Sequence, residues 1–175
     1  MGNEHEAYEP AVDQEDVTVL TTETGRDEYR IVATATLDSP ADEVWALLLN
    51  WERLVEVGLP GLTSDFRWLT GGPDDVPSTF RFELAGAILE EEIYERTVEM
   101  ETSRYRLRYR ALEPALGVLE YDALLELREI DETRTAFSAT RDVRLAPGSP
   151  PDMLAEIVES ETRCLVDHFG AGNAG

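Results

Sequence analysis

The chain has 175 residues, of which 42% are hydrophobic and 30% charged, enough for one globular domain with a single core. Its 37 acidic residues outnumber the 15 basic ones, which gives a formal net charge of -22. All 15 basic residues are arginines, so a lysine Schiff base and a Walker-type phosphate loop are excluded. A chain this acidic repels phosphate groups, so we expect no nucleic-acid partner and no membrane partner.

The cysteine and histidine contents restrict metal chemistry in the same way. Cys164 is the single cysteine, so an intrachain disulfide is impossible, and the two histidines, His5 and His168, lie far apart in the sequence. We therefore expect no metal site and no cofactor. The longest strongly apolar stretch, residues 44–49, is too short to cross a bilayer, and the N-terminus lacks the pattern of a signal peptide. The expected location is the cytoplasm.

The first part of the chain predicts an acidic arm followed by a strand and two short helices. Residues 1–27 carry scattered carboxylates with little periodicity, which favours a partly disordered arm; a short extra strand around Val17 is the alternative. Residues 29–37 are β-branched or small and predict a strand. Ser39 is the predicted N-cap of a helix over residues 40–51, and a second helical turn follows at 52–57.

The remainder of the chain predicts an antiparallel sheet and one long helix. Hydrophobic residues alternate with a period of two in six segments: 62–70, 78–85, 88–98, 103–112, 118–130 and 133–145. Residues 152–169 have helical spacing. The fold class is therefore α+β, with a curved seven-stranded antiparallel sheet around a long C-terminal helix. Residues 28–170 form the predicted domain, and 171–175 a frayed tail.

One strand carries a row of four alternating arginines, at positions 104, 106, 108 and 110. The residues between them include Tyr105, Leu107 and Tyr109, which must face the core, so the arginines must face solvent. Neighbouring strands carry glutamates at matching positions, including Glu92 and Glu126. Ion pairs across the strands explain the row without any bound ligand.

Two charged residues interrupt otherwise apolar, inward strand faces. Arg141 shares a face with Phe137 and Val143, and Glu91 lies between Leu89 and Ile93. A buried charge is costly unless it is paired or faces water or a ligand. Arg141 and Glu91 could therefore pair with each other, which is a structural role. Alternatively, they form a polar region inside an apolar cavity, as small-molecule sites do.

Further candidates come from the closing helix and from the aromatic residues. Glu161 and His168 lie seven residues apart on its apolar face, so both could reach the cavity; for His168 the alternative is a favourable charge at the helix C-terminus. Trp51 and Trp68 are either core residues or ligand platforms. The predicted ligand-binding residues share an inward position: Trp51, Trp68, Phe82, Tyr105, Tyr109, Phe137, Ile157 and Glu161.

The stretch ATATLDSPADEVWALLLNWERL resembles the opening of the START-type, birch-pollen-allergen-like superfamily. The stretches YRLRYRALEPALGVLEYDALLEL and TRTAFSATRDVRLAPGSP resemble the late hairpins of its bacterial polyketide cyclase/dehydrase branch. The resemblance covers about residues 28 to 170. It implies a helix-grip fold, in which the sheet wraps the last helix and two short helices close a hydrophobic cavity. Two positions depart from the family pattern: Glu91 replaces an arginine, and Trp51 is followed by Glu52 instead of proline.

Some members of this family cyclise and dehydrate poly-β-ketones, whereas others only bind hydrophobic ligands. The resemblance therefore implies a cyclase or dehydratase acting on a hydrophobic, oxygen-rich molecule such as a polyketide intermediate. Arg141 would stabilise enolate charge, and Glu91 or His168 would act as the general base. Tyr121 and Tyr109 would position oxygens or donate a proton. The alternative is a non-catalytic carrier or sensor of a hydrophobic metabolite; a homodimer is compatible with either.

Overall fold

The computed structural model describes residues 17–170; the first sixteen residues of the predicted arm and the predicted tail at 171–175 lie outside this range. The described residues form eight strands, three α-helices and a short 3-10 turn. In chain order the elements are β1 (Val17–Gly25), β2 (Glu28–Leu37), α1 (Ala41–Leu49), α2 (Trp51–Gly58), β3 (Thr63–Thr70), β4 (Ser78–Leu84), β5 (Ala87–Glu99), β6 (Arg104–Ala111), β7 (Val118–Asp131), β8 (Arg134–Leu145) and α3 (Asp152–Gly170).

All eight strands belong to one antiparallel sheet, in the order β1-β2-β8-β7-β6-β5-β4-β3. The prediction of seven strands was wrong by one, because the second half of the predicted arm is β1, paired with β2 from Val17 opposite Ala35 to Gly25 opposite Glu28. Most side chains of β1 are exposed. A strand with so little buried surface lacks the hydrophobic alternation by which the other strands are recognised.

The helices pack against the sheet in an arrangement consistent with the helix-grip fold. Helix α3 contacts β1, β2 and α2, while α1 contacts β7 and β8. Under α3, small and branched side chains form a buried cluster: Ile31, Ala33, Val143, Leu145 and Val158. The small Ala33 lets the helix approach β2 closely. No helix within residues 17–170 is both long enough and apolar enough to span a membrane.

The helix starts differ in detail from the prediction. Helix α1 begins at Ala41 after Pro40, and no side chain caps it. Ser39 is not the N-cap; its hydroxyl donates a hydrogen bond to Glu43 (3.0 Å). Its backbone carbonyl accepts one from Thr135 on β8 (2.7 Å), which ties the strand-to-helix turn to the sheet. Helix α2 is capped by the side chain of Asn50.

The outer face of the sheet confirms the interpretation of the arginine row for three of its four members, Arg106, Arg108 and Arg110. On β6, Arg110 pairs with Glu92 of β5 (2.7 Å), and Arg106 pairs with Glu126 of β7 (3.3 Å). Both pairs join residues directly opposite each other in the strand register. These arginines are therefore engaged with carboxylates of neighbouring strands, and the opposite face of the sheet holds the cavity.

Candidate functional site

A cavity of about 580 Å³ lies between the inner face of the sheet, α2 and α3. Its wall is mainly aliphatic and aromatic, with side chains from all three helices and from the sheet: Leu48, Val55, Phe82, Phe137, Ile157 and Leu165. The mouth is bordered by exposed Leu62, Leu116 and Met153. This is the usual composition of a site for a hydrophobic small molecule, in which a few polar groups determine orientation.

Arg141 is the centre of a polar network in this cavity. Its Nε donates a hydrogen bond to the hydroxyl of Tyr121 (2.7 Å), and its Nη2 donates to Oε2 of Glu161 on α3 (2.7 Å). The Tyr121 hydroxyl is also hydrogen-bonded to that of Tyr109 (3.1 Å). Ala123 lies opposite both Arg141 and Tyr109 in the strand register, and its small side chain leaves room for this network.

Glu91 lies on β5, on the same inner face, and is only 6% exposed. In the described part of the chain its carboxyl group has no hydrogen bond and no ion pair, although Arg141 and Glu161 are both close enough to affect its charge. Burial, with the nearby charge of Glu161, raises the pKa of Glu91 to about 8, and the charge of Arg141 partly opposes this. Glu91 is therefore largely protonated at neutral pH, and it becomes a carboxylate when the pH rises above about 8.

Burial affects the other ionisable groups of the network as well. It raises the pKa of Tyr109 and of Tyr121 above the usual range, with Arg141 opposing the shift, so both phenols stay protonated. Burial also raises the pKa of Glu161, and again Arg141 opposes it. The short hydrogen bond that Glu161 accepts from the guanidinium (2.7 Å) favours an ion pair between the two groups. Two phenols, one ion pair and one carboxyl group without a hydrogen-bond partner among the described residues thus lie together on the wall of an apolar cavity.

Of the two alternatives for Arg141 and Glu91, the direct ion pair between them is not found. The guanidinium pairs with Glu161 instead, because α3 brings that carboxylate directly against β8. The third nitrogen of Arg141, Nη1, is buried without a hydrogen-bond partner among the described residues. The indole nitrogen of Trp51 is in the same situation. Two buried N–H groups beside the cavity are therefore left unsatisfied by residues 17–170.

Nine of the predicted site residues line the cavity, and three do not. Those on its wall are Trp51, Phe82, Glu91, Tyr109, Tyr121, Phe137, Arg141, Ile157 and Glu161. Trp68, on the edge strand β3, packs edge-on against Phe66 and Phe80 instead. Tyr105 packs against Trp45 of α1, with ring centroids 5.4 Å apart.

His168 is also not on the cavity wall. It lies exposed in the last turn of α3, with its ring against Phe169, at a position where a positive charge complements the helix dipole. The helical spacing that suggested a shared face for Glu161 and His168 continues along α3, but the cavity does not reach its last turn. Sequence reasoning also missed the mouth residues Leu116 and Met153. They come from a loop and a helix start, where no periodic pattern applies.

Metal binding has no support in the described residues. Within residues 17–170, no group of three or more histidine, cysteine, aspartate or glutamate side chains is arranged to hold a metal ion.

The fold and the sequence of this chain are similar to those of known proteins. Residues 28–171 match the family model for polyketide cyclase / dehydrase and lipid transport. The Zhui aromatase/cyclase from Streptomyces sp. R1128 is 20% identical with a TM-score of 0.58, and the match covers 82% of this chain and 94% of that one. A START superfamily protein from Mycobacterium smegmatis is 12% identical with a TM-score of 0.65, covering 82% and 99%.

A human structure extends the same comparison. The lipid transfer and protein localization domain of human StarD13 is 9% identical with a TM-score of 0.65, and the match covers 89% of this chain and 85% of that one. At such low identities these structures support the fold alone. No curated protein matches the chain in sequence. Because the family model spans most of the chain, the protein belongs to the polyketide cyclase, dehydrase and lipid transport family.

Proposed function

We propose that the protein is a cyclase or dehydratase that acts on a hydrophobic, oxygen-rich molecule, such as a polyketide intermediate, in the internal cavity. The observation that carries this proposal is Glu91: a buried carboxyl group on the cavity wall, bound to no other described residue, with a pKa of about 8. A protein that only stores a hydrophobic ligand gains nothing from such a costly group. An acid–base catalyst needs a pKa close to the working pH.

The proposed reaction uses Glu91 twice. As a carboxylate it removes a proton from the carbon next to a substrate carbonyl, which leaves an enolate. In a cyclisation the enolate carbon attacks a second carbonyl of the same chain, and Glu91 returns its proton to the new alkoxide. In a dehydration the enolate expels the β-hydroxyl group, and Glu91 gives that hydroxyl its proton, so water leaves. Each sequence ends with the carboxylate regenerated.

Tyr121 and Arg141 support the negative charge of the enolate. The Tyr121 hydroxyl accepts a hydrogen bond from Arg141, so its own proton is available to a substrate oxygen or to Tyr109. The positive charge directly behind the phenol makes it a stronger donor as negative charge develops. In our proposal Arg141 therefore acts through Tyr121, and Glu91, not His168, is the base.

The test begins with a simple substrate, a long-chain β-hydroxy ketone with no other functional group. Dehydration gives a conjugated enone, which is followed by its ultraviolet absorbance and by the loss of one water in the mass spectrum. We expect turnover that rises with pH and levels off near the pKa of Glu91, because the carboxylate is the base. Glu91→Gln keeps the size and removes the base, so it should abolish turnover while the ketone still binds.

Ligand recovery from the native host separates the enzyme from the carrier. Native mass spectrometry of freshly purified protein would identify any bound molecule, which is then incubated with wild-type protein and with Glu91→Gln. Conversion by the wild type but not by the variant supports the enzyme. A ligand that stays unchanged with both, together with no enone from the ketone, would contradict the proposal and favour a carrier or sensor.

A further inference from the structure

An arginine at the end of an apolar cavity is usually taken as a binding site for a ligand carboxylate, because its planar fork matches a carboxylate. In this cavity the edge of the fork formed by Nε and Nη2 is already occupied. Nη2 of Arg141 donates to Glu161 and Nε to Tyr121, while Nη1 is shielded from solvent by the protein. A ligand anion would have to displace Glu161 to reach the guanidinium.

The other charges along the cavity do not offer an alternative partner to an anion. Arg141 is the one arginine among the described lining residues, and its charge is balanced by Glu161. Three further glutamates line the same space: Glu90, Glu91 and Glu113. A carboxylate that leaves water for this cavity would lose its hydration and gain no free cation, which is strongly unfavourable.

We propose that Glu161 is an internal anion that occupies the carboxylate site of Arg141, so that the cavity binds uncharged, oxygen-rich ligands and rejects carboxylates. Glu161 is then a specificity-determining residue. Glu161 reaches the guanidinium from α3, whereas the other groups of the network lie on the sheet. The helix therefore supplies the anion that closes the carboxylate site of Arg141. The inference deepens the proposed function by specifying the charge of its ligand, but it concerns binding and can be tested without turnover.

Two probes of nearly equal shape test the charge selectivity: naphthylacetone, which ends in a methyl ketone, and naphthylacetate, which ends in a carboxylate. Their affinities are measured at neutral pH by isothermal titration calorimetry. Wild-type protein should bind naphthylacetone at least about tenfold more tightly than naphthylacetate. The carboxylate of naphthylacetate loses its hydration in the cavity and gains no cation in return. Equal affinities of the wild type for the two probes would overturn the proposal.

Glu161→Gln provides a gain-of-function test. It removes the internal anion that occupies Nη2 of Arg141, so naphthylacetate should bind about tenfold more tightly than to wild type. Binding of naphthylacetone should change by less than about threefold, because it does not depend on that charge. Glu161→Ala is a second variant with the same expectation. Glu156→Gln makes the same charge change on the exposed side of α3 and should alter neither affinity.

Correct folding of each variant is checked by circular dichroism and thermal unfolding. Folded Glu161 variants that gain no affinity for naphthylacetate would overturn the proposal even if the wild type prefers the ketone. The two hypotheses can also fail separately. Absent turnover with intact charge selectivity contradicts only the enzymatic function. Equal binding of both probes with intact turnover contradicts only the role of Glu161.

Discussion

The two faces of the same sheet use arginine in opposite ways. On the outer face, Arg110 and Arg106 of β6 each pair with a glutamate of a neighbouring strand, and these side chains remain partly in solvent. On the inner face, Arg141 is 5% exposed and binds both Tyr121 and Glu161, while nearby Glu91 forms no hydrogen bond or ion pair within residues 17–170. Each of these two outer arginines is matched by a glutamate, whereas the inner face holds a carboxyl group, that of Glu91, without such a match.

The difference shows that the exposure of a charged side chain, more than its residue type, determines its effect on stability and on neighbouring pKa values in this fold. Exposed ion pairs are screened by water and contribute at most about 1 kcal/mol each. Inside the cavity the same groups interact in a medium of low polarity, so a missing partner has a large effect on a pKa. The unpaired Glu91 is thus costly for stability but available for chemistry.

The largest effect is expected for Arg141→Met, which keeps much of the volume and removes the charge. Glu161 then loses its ion-pair partner in a largely buried site, and we expect a loss of about 3 kcal/mol in the free energy of unfolding. Turnover of the β-hydroxy ketone should fall about a hundredfold or more, because the enolate loses its electrostatic support. Urea denaturation and the enone assay measure the two effects. Unchanged turnover in a folded variant would show that Arg141 is only structural.

The second prediction concerns Glu91 and the way in which the free energy of unfolding depends on pH. Its folded pKa of about 8 lies above the unfolded value of 4.5, so the folded state holds its proton more tightly. Its contribution to stability is therefore complete below about pH 4.5 and is lost as pH rises to about 8. At about pH 8.5, Glu91→Gln should be more stable than wild type by on the order of 3 kcal/mol.

Urea denaturation of both proteins at several pH values between about 5 and 9 tests this expectation. The advantage of Glu91→Gln should shrink as the pH falls. If it is the same at every pH, Glu91 has an ordinary pKa, and both the stability argument and the proposed base would have to be abandoned. Turnover and stability of the wild type should change in opposite directions over this range.

The smallest effect is expected on the outer face. Arg110→Gln removes the partner of Glu92, but Arg110 is about half exposed, so the free energy of unfolding should change by less than about 1 kcal/mol. Turnover and ligand affinity should stay at the wild-type level. This variant is the matched control for Arg141→Met. A loss of turnover as large as that of Arg141→Met would mean that the two faces are not independent.

Much of the sheet could be predicted because alternation along a strand is a local property. The inward positions of Phe82, Tyr109, Phe137 and Arg141 follow from period two alone, and all four line the cavity. The inward Glu91 was visible for the same reason, as a charged residue on an apolar face. Strand β1 was predicted only as the alternative to a disordered arm, because most of its side chains are exposed and leave no such pattern.

Contacts between distant elements could not be predicted in the same way. Arg141 pairs with Glu161 and not with Glu91 because of where α3 crosses the sheet, which a strand pattern does not contain. Trp68 and Tyr105 have the inward alternation of cavity residues, but they lie beyond the ends of the cavity, against other aromatic rings. Alternation along a strand predicts the face of the sheet on which a side chain lies. The packing of the helices determines which part of the inner face borders the cavity.

The position of β1 has a practical consequence for anyone who shortens this chain. The family model begins at residue 28, so a version trimmed to the matched segment would lack β1 entirely. The hydrogen-bonding groups of β2 that now pair with β1 would then form an open edge, ready to join a strand of another molecule. Threonine-rich β1 protects the more apolar β2 from such self-association. The safe starting point for a shortened chain therefore lies before Val17.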